Sequence, residues 1–259
     1  MITSTRNPKV KFVRALQAQV QYRRTENAFV VEGVRLVDEA IKADWDANLV
    51  FFEEGLSQRG KVLVETYADR GAQVLQVSQH VMRAASDTQT PQGLMAVLPI
   101  KELPVPEDVD FLFIPDAVRD PGNMGTMLRT ALAAGVDAVF IPPETVDVYA
   151  PKVIRAGMGA HFHLPILNLD WKEIEHRIRN MKLKVYLADA SKGKNYSEAD
   201  FHHPCALIIG SEAEGAGGVA RQMADDQIHI SMPGDAESLN AAVAAGVLLF
   251  EVVRQRSTD

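Results

Sequence analysis

Residues 110–143 read DFLFIPDAVRDPGNMGTMLRTALAAGVDAVFIPP. Two unbroken apolar runs, "FLFIP" and "AVFIP", flank a segment rich in Met, Leu and Ala. Continuous rather than alternating runs mark strands covered on both faces, and strand–helix–strand is the unit that builds a parallel sheet. Asp120-Pro121-Gly122-Asn123 is turn chemistry leading into a helix start. One arginine, Arg129, stands midway along that helix above Gly125 and Thr126. Both neighbours are small, so its guanidinium is placed to reach back toward the helix N-terminus. Such a terminus favours anions, and an arginine beside it makes a phosphate-friendly pocket. An arginine snorkelling from an amphipathic helix is the plainer alternative.

The pattern continues outward from this unit. "FHLPIL", "KVYLADA", "CALIIGSE" and "QIHISMP" read as further strands separated by helical segments. On pattern alone this half is an unknotted, doubly wound, mostly parallel sheet. Upstream, "IKELPVPEDVD" carries two prolines and several charges and reads as a linker. The boundary is placed near Leu103, giving domains 1–102 and 103–259. In the first domain "NLVFFEE", "AQVLQVS" and "LMAVLP" read as strands, with helices over Val34–Lys42 and Ser57–Arg70.

The 259 residues are 47% hydrophobic and 24% charged, an ordinary globular balance. No apolar run approaches the roughly 18 residues of a membrane span. The first residues, "MITSTRNPKVKF", lack the apolar core of a signal peptide, so a cytoplasmic protein is expected. Cys205 is the only cysteine, in a strand-like setting, and is expected to be inert packing. The net charge of −7 is unevenly spread. Residues 1–35 hold seven basic residues (Arg6, Lys9, Lys11, Arg14, Arg23, Arg24 and Arg35) against Glu26 and Glu32. That segment is +5 and leaves −12 for the remainder. A basic arm on an acidic body fits a protein that touches phosphates at one end; a solvated helix with spare charge fits equally well on charge alone.

In open α/β sheets ligands bind beyond the carboxyl ends of the strands, so two more loops stand out. "LIIGSEAEGAGG" (207–218) ends a strand in Gly210-Ser211-Glu212 and continues through Gly215, Gly217 and Gly218. It matches neither the dinucleotide fingerprint nor the P-loop, and Glu212 favours a neutral or cationic ligand over a phosphate. A plain glycine-rich turn is the alternative. "ISMPGDAESLNAAVAAGVLLFEVVRQR" (230–256) turns at Pro233-Gly234 into a long helix. Ser238 is the expected cap, with Asn240 just inside. The small residues Ala241, Ala242, Ala244, Ala245 and Gly246 imply that another backbone packs close. His161 and His163 would share one side of a strand, and His202 and His203 are adjacent. No third ligand accompanies either pair, so no metal is expected.

Taken together, "DPGNMGTMLRTALAAG", "LIIGSEAEG" and "ISMPGDAESLNAAVA" resemble the three motifs of the SpoU/TrmH family of RNA ribose 2′-O-methyltransferases, over residues 110–255. "KVIRAGMGAHFHLPI" is similar to that family's segment between the first two motifs. "FVVEGVRLVDEAI" and "TPQGLMAVL" resemble, more loosely, a substrate-binding domain similar to small RNA-binding ribosomal proteins. The resemblance implies an α/β SPOUT domain with a deep trefoil knot, a smaller N-terminal α/β RNA-binding domain, and a homodimer with shared active sites. It implies S-adenosylmethionine as methyl donor and RNA as partner, ribosomal RNA before transfer RNA, with guanosine as the preferred base.

Carried over by position, the resemblance assigns Asn123, Arg129, Glu212, Ser238 and Asn240 to the reaction. It sets the donor near Ala188, Gly210, Ile230, Met232, Ser238 and Leu239. The basic residues Arg6, Lys9, Lys11, Arg23, Arg24 and Arg35 are the expected RNA contacts. Two departures are visible: Ser231 replaces the family's usual proline, which is expected to loosen the donor loop, and Ala242 replaces a serine. The family gives Arg129 an activating role. A guanidinium stays protonated, so binding a phosphate and polarising the hydroxyl is the expected form of that role. Glu212 and Asn123 would orient Arg129 and the nucleotide. A catalytically silent RNA-binding protein of the same fold and a nucleotide-dependent small-molecule enzyme remain as alternatives. The intact motif residues argue against the first, and the missing dinucleotide fingerprint against the second.

Overall fold

The computed structural model describes residues 1–190, 192–211, 215–235 and 237–257. The chain forms two compact units, residues 1–101 with 149–162, and 102–148 with 163–259. The first unit opens with helices α1 (Pro8–Ala18) and α2 (Val20–Glu26). It continues through β1 (Ala28–Glu32), α3 (Val34–Lys42), β2 (Leu49–Phe52), α4 (Gln58–Asp69), β3 (Gln73–Gln76), α5 (Gln79–Ala85) and β4 (Leu94–Pro99). The sheet order is β1-β4-β2-β3, with β4 antiparallel to both β1 and β2. Val10, Val13 and Leu16 of α1 share a core with Val30, Phe51, Met82 and Val97. Strand β1 is buried throughout. A run of only four apolar residues ending in Glu32, between two helices, has no period of its own, which is why the sequence pattern yields three strands here rather than four.

The second unit contains β5 (Phe111–Pro115), α6 (Pro121–Ala133) and β6 (Ala138–Ile141). The chain then forms α7 (Pro151–Gly157), which belongs with the first unit, where the ring of Tyr149 lies 5.0 Å from that of Phe29 and Phe162 lies 5.3 Å from Trp45. It returns as β7 (Ile166–Asn168), α8 (Trp171–Met181), β8 (Lys184–Ala188) and β9 (Lys194–Asn195). β10 (Cys205–Ile209), α9 (Gly218–Met223), β11 (Asp226–His229) and α10 (Ala241–Arg256) complete it. All seven strands pair in parallel, in the order β7-β6-β5-β10-β8-β11-β9. Leu112, Ile114, Phe140, Leu187 and Ile208 pack with Ile174 and Ile178 of α8 and Ala220 of α9. The alternate residues Phe113 and Leu207 are buried as well, and α6 and α10 lie against β5, β10 and each other. Cys205 is buried in the sheet, and burial pushes its thiol up to about 11, so it is unreactive near neutral pH.

Two sequence expectations need correction. His161 and His163 do not share a strand. Met158 (φ 49°) and Gly159 (φ 98°) both adopt left-handed backbone, which breaks extension, and residues 160–162 form a 3₁₀ turn. His161 is buried beside Tyr149, whereas His163 is exposed. The basic N-terminal segment is a folded helix pair rather than an arm. Among the described residues no three His, Cys, Asp or Glu side chains gather, and no helix is long and apolar enough to cross a membrane.

The end of α10 is fixed by side chains rather than by packing alone. Gln255, 6% exposed, donates to the Ala199 carbonyl at 2.9 Å and accepts from the Phe201 amide at 2.9 Å. Arg256 donates to the carbonyls of Phe201 (2.9 Å) and His203 (3.1 Å) and to Asp110 Oδ1 (2.8 Å). Gln255→Leu keeps the volume but strands a buried amide and carbonyl. It should lower unfolding free energy by about 2–4 kcal/mol in urea titrations, while an unchanged midpoint would show that water replaces the side chain.

Candidate active site

Helix α6 starts where its sequence says it should. Asp120 caps it, accepting from the Asn123 amide at 2.8 Å, and Pro121 occupies the first helical position. Helix α10 starts differently from expectation. Asn240, not Ser238, is its cap, accepting from the amides of Ala242 (3.0 Å) and Val243 (3.3 Å). An asparagine is as good a cap as serine, and one that reaches two amides from the last non-helical position leaves nothing for a residue two places earlier. The same Asn240 donates through Nδ2 to Asn123 Oδ1 at 3.1 Å. The N-terminal ends of α6 and α10 are thereby joined, 117 residues apart in sequence.

Beside this junction lies a cavity of about 330 Å³ at the carboxyl ends of β8 and β10. Ala188, Gly210, Ile230, Met232, Ser238 and Leu239 all line it, together with Ile209, Ile228, Asp189, Arg221, Ala241, Ala244 and Leu248. Gly210 is required by contact. A Cβ there would sit 2.2 Å from the Ala216 amide nitrogen and 2.3 Å from the Gly215 carbonyl carbon. The returning loop therefore presses directly on the strand end. Arg221 braces the same wall, donating to Asp189 Oδ2 at 2.6 Å and to the Ala216 carbonyl at 3.1 Å. Asp189 is nearly buried, so this pair exchanges hydration for a charge-assisted bond. Neither residue stands out in the sequence. The available signal is an acidic residue directly after a buried strand, which is common in turns.

The loop after β11 is tied rather than loosened. Ser231 Oγ accepts from Asn195 Nδ2 at 2.6 Å and lies 3.4 Å from His229 Nε2. A hydroxyl can be anchored by hydrogen bonds where a proline would be anchored by its ring. Ala242 is buried in the first turn of α10. Arg129 is exposed on α6, lies outside the cavity lining, and makes no hydrogen bond or ion pair among the described residues. Glu212 falls outside the described residues.

Of the six basic residues expected to meet RNA, Arg6, Lys9, Lys11, Arg24 and Arg35 are exposed. Arg23 is not. It is 4% exposed, and its Nη1 donates to the carbonyls of Leu16 and, at 3.2 Å, Gln17. These are end-of-helix carbonyls of α1 that lack intrahelical partners, so Arg23 is a structural residue.

A family model described as the SpoU rRNA Methylase family matches residues 110–250, and one described as an MRM3-like substrate binding domain matches residues 7–96. The chain belongs to the SpoU rRNA methylase family. It is 33% identical over 251 residues to the 23S rRNA (guanosine(2553)-2'-O)-methyltransferase RlmP of Bacillus subtilis (strain 168), covering 97% of this chain and 98% of that one. It is 30% identical over 268 residues to the 23S rRNA (uridine(2479)-2'-O)-methyltransferase of Streptomyces viridochromogenes, covering 98% and 92%. The crystal structure of the SpoU methyltransferase AviRb from Streptomyces viridochromogenes, in complex with the cofactor AdoMet, superposes with a TM-score of 0.91 at 26% identity, covering 98% of this chain and 99% of that one. As a SpoU member the chain is a methyltransferase whose donor is S-adenosylmethionine.

The cavity suits that donor. Its apolar walls, Ile209, Ile230, Met232, Leu239 and Leu248, match an adenine ring and a methylene chain, and Arg221, Asp189 and Ser238 supply the few polar groups. Gly210→Ala should force the Gly215–Ala216 backbone off the strand end and weaken S-adenosylmethionine binding by about tenfold or more in calorimetry. Unaltered affinity would mean that the donor does not depend on this wall.

Proposed function

We propose that the chain transfers the methyl group of S-adenosylmethionine to a ribose 2′-hydroxyl of ribosomal RNA. The observation that carries this reading is the Asn123–Asn240 hydrogen bond. It brings two helix N-termini together at the rim of the donor cavity, and one of those helices presents Arg129, exposed and without a hydrogen bond or ion pair among the described residues. The donor supplies an activated methyl on a sulfonium when bound. The protein's share is placement of the hydroxyl, for which positioning contributes roughly 7–11 kcal/mol at best. The Arg129 guanidinium binds the phosphate beside the target ribose and polarises its hydroxyl, whose proton passes to water as the oxygen takes the methyl and S-adenosylhomocysteine is left behind. Asn123, Asn240 and Ser238 orient the nucleotide at the cavity mouth, and Glu212 orients Arg129.

The reading includes a first domain, residues 1–102, that holds the RNA through Arg6, Lys9, Lys11, Arg24 and Arg35, and a second, 103–259, that carries the chemistry. It includes a knotted path for the loops that enclose the donor, and action in the cytoplasm where ribosomal RNA is assembled. It also includes a homodimer. Val243 and Phe250, seven residues apart on α10, and Leu132 of α6 stand 52, 47 and 36% exposed. Exposed apolar side chains of that size on two helices in contact favour cover by a second copy. The base is left open by kinship, because one of the relatives is named for guanosine and the other for uridine.

The direct test incubates the protein with methyl-labelled donor and unmodified total RNA, then digests the RNA to nucleosides. Label on a ribose 2′-oxygen within ribosomal RNA is expected; RNA and donor both bound without transfer would leave a silent module instead. Arg129→Lys keeps the charge but loses the planar fork, and should lower kcat about 100-fold with donor affinity unchanged. Near-normal turnover would remove the guanidinium's role. Replacing Lys9, Lys11 and Arg24 by Gln should weaken RNA binding and flatten its dependence on log salt by about 0.7 for each phosphate no longer neutralised. Arg23→Gln should instead lower thermal stability and leave that slope alone.

A further inference from the structure

The carboxyl edge of the second unit's sheet holds another cavity, of about 380 Å³, on the side of the Gly215–Gly217 segment lined by Asp116, Glu144 and Trp171. Gly215 lines both this cavity and the donor cavity, so a single loop forms the wall between them. The methyl-transfer reading uses none of the three side chains.

Asp116 is the unusual member. It follows β5 directly, is 3% exposed, and accepts from the Gly217 amide through Oδ2 at 2.7 Å. Its other oxygen makes no hydrogen bond among the described residues although the side chain lines the cavity. Burial, and the charge of nearby Glu144, push its carboxyl above the ordinary range. A buried carboxylate with one oxygen satisfied and the other unbonded among the described residues calls for an N–H or O–H donor from whatever enters. The walls are held in place for such a visitor. Ala117 (φ 53°) and Glu144 (φ 66°) both take left-handed backbone. Thr145 Oγ1 links the two loops, accepting from the Ala117 amide at 3.1 Å and donating to the Pro115 carbonyl at 3.2 Å. Strained, cross-tied loops around an open cavity are a usual feature of ligand sites.

We propose that this cavity receives the base of the target nucleotide, and that Asp116 and Glu144 select guanine. The inference rests on the reading of the chain as an RNA ribose methyltransferase. Guanine alone among the four bases presents two adjacent donors, N1–H and N2–H₂, on its pairing edge. Adenine and cytosine set one amino group beside a bare ring nitrogen, and uracil flanks its single N–H with two carbonyl oxygens. In each of these a lone pair would face a carboxylate. Trp171 supplies an aromatic wall of the kind on which RNA-binding proteins stack unpaired bases. The shared loop keeps a base held here within one wall of the donor.

Tryptophan fluorescence of the full chain, titrated with GMP, AMP, CMP and UMP, tests the site without turnover. Saturable quenching by GMP alone is expected, absent in Trp171→Phe, where only buried Trp45 emits. Because Glu144 is exposed, Glu144→Gln does not threaten folding, and it should weaken GMP binding about tenfold, the loss of one good base contact. Equal quenching by all four nucleotides, or none, would overturn the inference. In the methylation assay Asp116→Asn, which keeps an acceptor for Gly217, should raise KM for RNA about tenfold with donor affinity unchanged. Label on a nucleoside other than guanosine would overturn the base assignment and leave the methyltransferase reading intact. GMP binding with no transfer to any RNA would do the reverse.

Discussion

Parallel pairing of all seven strands in the second unit is the constraint from which the rest follows. It sends every strand's carboxyl end to one edge, so the loops after β5, β8, β10 and β11 emerge side by side although they lie far apart in sequence. The order reverses between β5 and β10, where the winding switches direction. Backbone crowding is severe along that edge. Gly210 has no room for a Cβ, and Gly193, at φ 88°, would place one 1.9 Å from the Gln227 carbonyl oxygen. At these two glycines the chain passes too close to neighbouring backbone to carry a side chain, and Gly210 lines the donor cavity.

Polar side chains complete what packing begins. The loops at this edge are held by polar groups that reach from one loop to another. Asp116 holds Gly217, Arg221 holds Ala216 while pairing with Asp189, and Asn240 ties α10 to Asn123. Such bonds add little net stability when made and cost a great deal when half broken, so they fix arrangement more than they add energy. A transfer reaction that depends on in-line placement benefits from that kind of rigidity.

Much of this is legible in the chain. The strand–helix–strand reading of 110–143, the turn that starts α6, the helix over Val34–Lys42 and the glycine loop after β10 follow from local pattern. The six donor-lining residues come from kinship, since nothing local distinguishes Ala188 or Leu239 from any other apolar residue near a strand end or a turn. What stays hidden is relational. The Asp189–Arg221 and Asp116–Gly217 contacts span 32 and 101 residues, and no periodicity in either segment announces its partner. The same limit explains the cap of α10. Ser238 and Asn240 are equivalent by propensity, and the tertiary bond to Asn123 favours the second.

Arginine shows the limit most sharply, because one residue type ends in opposite states. Arg23 and Arg129 both sit on helices, yet one is buried and the other exposed. The difference lies in what carbonyls each can reach. Helix α1 ends at Ala18 and α2 begins at Val20, so the chain turns with a single residue between helices and leaves the Leu16 and Gln17 carbonyls bare. A guanidinium one helix turn into α2 is at the right distance to satisfy them, and desolvation is offset by charge-assisted bonds. Around Arg129 the neighbouring threonines turn their hydroxyls to their own helix, Thr126 to the Gly122 carbonyl and Thr130 to that of Thr126, both at 2.8 Å. Neither hydroxyl bonds the guanidinium. Among the described residues it is exposed and makes no hydrogen bond or ion pair, which leaves donors for an incoming phosphate.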